Sequence, residues 1–75
     1  MSLDLLRPGT SARLLEIGGE RAFRLRLMEL GLLPGASVRL VRRTEVGGVL
    51  ELEVRDCRVS LRCQEAAQLR VALPS

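Results

Sequence analysis

"RLRLMELGLLPGASVRLVRR", residues 24–43, holds two hydrophobic periods and the break between them. Projected at about 100° per residue, Phe23, Leu27 and Leu30 share one narrow face, with Glu20 and Arg24 near its edge. "GGERAFRLRLMEL", residues 18–30, therefore predicts a short amphipathic helix, with Glu20 placed in its first turn, where a carboxylate suits the helix dipole. Gly31 falls where a left-handed C-terminal cap needs a residue without a Cβ, and Leu32 is placed to fold back on the last turn. Pro34-Gly35 supplies a fixed φ followed by a residue free to take positive φ, the chemistry of a type II turn. Beyond it, Val38 and Leu40 alternate with Arg39 in a strand. Val41 breaks that alternation, which predicts a bulge or a bend around a corner.

The flanking pieces are strands. "ARLLEI", residues 12–17, alternates imperfectly between the turns Pro8-Gly9 and Gly18-Gly19. After Gly47-Gly48, Leu50, Leu52 and Val54 point one way and Glu51, Glu53 and Arg55 the other. In "CRVSLRC", residues 57–63, Cys57, Val59, Leu61 and Cys63 oppose Arg58, Ser60 and Arg62. A turn at Arg55-Asp56 or at Asp56-Cys57 makes a hairpin of these two runs, and spacing does not choose between them. "QEAAQL" can form one helical turn, and "LRVAL" closes the series. Five short strands carry too much edge for an open sheet. The expectation is a mainly β fold: a single SH3-like barrel domain over residues 1–75, with a helix inserted after the first strand and a helical turn before the last.

With 75 residues, 47% of them hydrophobic, sixteen leucines, seven valines and Phe23 as the lone aromatic, the core has to be aliphatic. No apolar run approaches the roughly 18 residues of a membrane span, and "MSLDLLRPG" lacks the basic and apolar regions of a secretory signal, so a cytoplasmic location is expected. Twelve arginines, no lysine and nine interleaved carboxylates give a net charge of +3, most of it cancelling locally. The run Arg39, Arg42, Arg43 keeps Arg-mediated nucleic-acid binding as an alternative. The lack of aromatic rings for base stacking counts against it.

Chemistry-bearing residues are few. Without histidine, the commonest general base and the commonest metal ligand are both missing. Cys57 and Cys63 share the parity of Val59 and Leu61, which predicts buried thiols; as ligands they would be half a tetrahedral site. A metal-responsive module would have to add carboxylates such as Glu65 and a second molecule. No phosphate-cradling loop is present. The expectation is a protein without catalytic residues, metal or cofactor. Leu25 and Met28 lie off the Phe23, Leu27, Leu30 face and are flanked by Arg21 and Arg24. A helix on a small domain buries one side, so Leu25 and Met28 with Leu32 or Leu33 predict a partner-docking patch with an arginine rim. The plainer alternative tucks Met28 under the following loop and leaves Leu25 an isolated surface residue.

In order and spacing, three groups of residues resemble the FeoA family, small cytoplasmic proteins that accompany the FeoB ferrous iron transporter. They are Leu5, Gly9, Ala12, Leu15 and Ile17; Arg26, Leu27, Glu29, Leu30, Gly31, Leu32, Pro34 and Gly35; and Val59, Leu61, Arg62, Glu65 and Ala66. The resemblance implies the same SH3-like barrel and an accessory role in ferrous iron uptake, by docking on the cytoplasmic GTP-binding or membrane part of a FeoB-like transporter. It implies that Gly31, Pro34 and Gly35 set the turn while Leu27 and Leu30 pack it, and it carries over no catalytic residue. The helix-turn-helix domain of related iron-dependent repressors finds no room in this length. Weak self-association is left open.

Overall fold

A computed structural model describes residues 1–44 and 46–74. After a 3₁₀ turn at Leu3–Leu5 come β1 (Ser11–Ile17), α1 (Arg21–Glu29), β2 (Ser37–Arg43), β3 (Val49–Val54), β4 (Cys57–Arg62), α2 (Cys63–Ala66) and β5 (Leu69–Ala72). The strands form one antiparallel sheet in the order β4-β3-β2-β1-β5. The fold is mainly β, as the alternation predicted.

Two bulges bend the sheet, and each explains an irregularity in the sequence. Between β2 and β3 the register shifts from Leu40 to Arg42, leaving Val41 as the extra residue. Between β1 and β5 it shifts from Leu14 to Glu16, so Leu15 turns outward and Ile17 returns to the interior. A bulge increases local twist and re-aims the side chains after it.

The interior is aliphatic: among the described residues every buried one is apolar, with Leu14, Leu40, Leu50, Leu52, Leu69 and Val71 at 0% exposure. Charges lie on the outer face of β2–β3–β4. There Glu51 accepts from Arg42 Nε at 2.7 Å and from Arg58 Nη1 at 3.0 Å, and Glu53 faces Arg39 at 3.5 Å. These guanidinium hydrogen bonds hold the Glu51 carboxyl below its ordinary range, outweighing the desolvation that raises it. The hairpin turns at Arg55-Asp56, with Val54 opposite Cys57 and a left-handed φ of 56° at Arg55, the sign that two-residue hairpin turns require.

Three expectations are corrected. Cys57 is exposed and Cys63 only half-buried. Parity fixes which way a strand side chain points but not how far it is covered: Cys57 is the first residue of β4 at the hairpin turn, and Cys63 opens α2 beside Gly48. Leu30 does not pack the corner: it is the C-cap and 46% exposed. Glu20 is the N-cap in an extended conformation, not a first-turn residue, and its carbonyl accepts from Arg24 N–H at 3.0 Å.

Candidate functional site: the helix-to-strand corner

The helix stops for reasons visible residue by residue. Gly31, at φ +98°, donates its N–H to the Met28 carbonyl at 3.0 Å, and Leu32 donates to the Leu27 carbonyl at 3.0 Å. These are the paired 5→2 and 6→1 bonds of a Schellman motif, which normally brings an apolar residue back onto the last turn. Leu27 and Leu32 are that pair, both at 0% exposure. The chain then reverses through Leu33-Pro34-Gly35-Ala36, where Ala36 donates to the Leu33 carbonyl at 2.9 Å and Gly35 has φ +92°. This is the type II geometry that Pro34 and Gly35 predicted. Gly35 N–H donates to Leu14 O at 2.7 Å and Leu14 N–H to Ala36 O at 2.8 Å, pinning the corner to β1. From the other side, Arg26 Nη2 bonds Glu65 Oε2 at 3.0 Å and its guanidinium lies 5.7 Å from the Phe23 ring centre, tying α1 to α2.

The solvent-facing side of this pinned corner carries apolar residues among its charges. Leu25 is 47% exposed and Leu33 41%, with Arg21 exposed and Arg24 half-buried. Met28 is half-buried and packs against the core. Leu32 does not belong to any docking surface, because the Schellman bonds turn it inward; of the two alternatives only Leu33 is available. Two further leucines at or beside the corner, Leu30 and Leu15, are exposed without having been predicted so. Leu30 was read from helical projection alone, although a C-cap residue no longer follows the helix face. Leu15 is 48% exposed, next to the Leu14 that the corner is bonded to. Its signal was the broken alternation in "ARLLEI".

The other candidate residues are occupied differently. Arg42 and Arg39 bridge to Glu51 and Glu53, and Arg43 Nη2 donates to the backbone carbonyls of Asp4 at 2.6 Å and Leu6 at 2.9 Å. Each arginine of the run therefore already has an internal partner, carboxylates for Arg39 and Arg42 and backbone carbonyls for Arg43. Among the described residues, no three of Cys, Asp and Glu converge as a metal site would need.

Comparison with known proteins identifies a family for this chain. Residues 1–73 match the model of the FeoA domain. The chain is 31% identical over 75 residues to the Fe(2+) transport protein A/Fe(2+) transporter FeoB fusion protein of Porphyromonas gingivalis, covering 100% of this chain and 9% of that protein. It thus spans a small fraction of that curated relative. Among solved structures, FeoA of Chlorobium tepidum superimposes with a TM-score of 0.94 at 31% identity, over 100% of this chain and 71% of that one. FeoA of Stenotrophomonas maltophilia, a prokaryotic SH3 domain protein solved with zinc, gives 0.81 at 36% identity, over 95% and 88%. Whole-length agreement in sequence and in fold, with the Gly31 to Gly35 corner built as the motif requires, makes this chain a member of the FeoA domain family.

Proposed function

We propose that this chain is a docking module for a FeoB-like ferrous iron transporter, binding the transporter's cytoplasmic part through the α1 corner and thereby assisting iron uptake. The observation that carries the reading is the division of labour among the corner leucines. Leu27 and Leu32 anchor it, and Leu25 and Leu33 stay on the surface. The Porphyromonas gingivalis relative, in which transport protein A and FeoB are one chain, supports the choice of partner.

The energetics suit a reversible contact. Covering the exposed half of a leucine side chain stabilises by about 1 kcal/mol. Two or three such residues with an arginine rim give modest affinity and electrostatic steering rather than a permanent complex. Neither catalysis nor a bound cofactor is required of the module.

Deletion and complementation in the cell test this. Ferrous iron uptake should fall on deletion, recover with the wild-type chain, and fail to recover with Leu25→Glu/Leu33→Glu present at wild-type abundance. Full recovery by that variant would remove the corner from the function, and normal uptake after deletion would remove the function itself.

A further inference from the structure

The two edges of the sheet are finished differently. Along β5, the Met1 ammonium donates to Val71 O at 3.0 Å, Val71 N–H donates to Met1 O at 2.8 Å, and Ser2 bridges Arg70. Beyond β4 no strand follows among the described residues.

In an antiparallel pair, alternate residues aim their N–H and C=O groups at the neighbouring strand and the others aim away. The hairpin closes on Val54 and Cys57, and at the far end Cys63 N–H donates to Gly48 O at 2.8 Å. Cys57, Val59, Leu61 and Cys63 therefore spend their backbone groups on β3, and Arg58, Ser60 and Arg62 aim theirs outward. Arg62 N–H is taken by Glu65 Oε1 at 2.9 Å, which finishes the edge at that end. The backbone groups of Arg58 and Ser60 have no such cover among the described residues.

Charge decides what such an edge accepts. Arg58 and Arg62 are exposed on the outer face, four residues or about 13 Å apart along the strand. A second copy laid antiparallel on β4, with the same face outward and Ser60 opposite Ser60, would set Arg58 against Arg62 twice. Like charges directly opposite disfavour that pairing, the usual guard against edge-to-edge association. The same two arginines favour a strand with carboxylates in those places. β3 already meets Arg58 with carboxylates from the inner side: Glu53 lies opposite Arg58 and Glu51 opposite Ser60, with Arg58 using Nη1 and Nε on them. A guanidinium has five donors, so Arg58 keeps Nη2 for a further carboxylate.

We infer that the β4 edge receives an extended acidic segment of a protein partner as a sixth strand, hydrogen-bonded to the backbone of Arg58 and Ser60, with carboxylates opposite Arg58 and Arg62. This surface is separate from the α1 corner, and the inference does not rest on the docking proposed there.

The test uses the full chain, isotope-labelled, and a seven-residue peptide alternating valine with glutamate, threonine and glutamate. Its lysine counterpart and a backbone N-methylated version serve as controls. The acidic peptide should shift the Arg58 and Ser60 amides and slow their hydrogen exchange, leaving α1 amides in place; both controls should bind at least about tenfold more weakly, the scale of one or two lost hydrogen bonds. Ser60→Pro removes an outward N–H without breaking the β3 ladder, which edge strands tolerate, and should weaken the acidic peptide by a similar factor. Should that variant not fold, the N-methylated peptide makes the same comparison from the other side. The inference is overturned if millimolar acidic peptide moves no β4 amide, or if the lysine peptide binds equally well. Protection at Arg58 and Ser60 that rises with protein concentration alone would also overturn it, since that marks a second copy.

Discussion

Leu27 and Leu32 are fully buried, while Leu25 and Leu33, two residues and one residue away, are nearly half exposed. One residue type on one corner therefore does two jobs, and the difference is made by backbone hydrogen bonds rather than by hydrophobicity. The Schellman bonds from Gly31 and Leu32 rotate Leu32 under the helix end. The turn over Pro34 and Gly35 leaves Leu33 outside. In so small a chain each inward leucine matters to stability, and each outward leucine is free for a partner.

Truncation should separate the two sets most sharply at the buried pair. Leu32→Ala, like Leu27→Ala, is expected to cost about 2–5 kcal/mol. A domain of this size has about that much stability in total. Chemical denaturation should find either variant largely unfolded at 37 °C, and a loss under 1 kcal/mol would erase the distinction between inner and outer leucines. Next comes the backbone device itself. In Gly31→Ala the new Cβ meets Val54 Cγ1 only at an ordinary 3.8 Å, so the cost is the left-handed φ alone, about 1–2 kcal/mol. Urea unfolding measures it.

At the outer pair the effects on stability should be small. Leu25→Gln and Leu33→Gln together are expected to move stability by no more than about 0.5 kcal/mol each, the range of ordinary surface substitutions. A large loss would mean that these leucines support the fold after all. The smallest effect belongs to the outer face of the sheet. Because Arg42 and Arg58 hold the Glu51 carboxyl below its ordinary value, its contribution is complete above the unfolded-state pKa. It is lost as pH falls through the lowered folded value. The melting temperatures of wild type and Glu51→Gln should differ slightly near neutrality and converge in acid; a difference that grows with acidity would contradict the sign.

Much of this fold was legible in the sequence, because its signals are local. Gly31, Pro34 and Gly35 each demand one backbone geometry, and the alternation from Val49 to Arg62 fixes the faces of β3 and β4. Val41 announced its bulge. Exposure was less legible. Helical projection put Leu30 inside because it assumes that the helix continues, and strand parity put Cys57 inside because parity carries no information about where the core ends. For the candidate site, Leu25 and Leu33 could be named from the sequence, but choosing Leu33 over Leu32 needed the long-range consequence of the cap. Leu15 became visible only with the register of β1 against β5.

Binding of the purified chain to the cytoplasmic region of a FeoB-like transporter, measured by calorimetry for wild type and Leu25→Gln/Leu33→Gln, tests the central claim most directly. Docking through the α1 corner predicts saturable binding by wild type and at least about a tenfold loss in the variant, with an unchanged melting temperature. Equal affinity for the two proteins, or no heat from either, would contradict it.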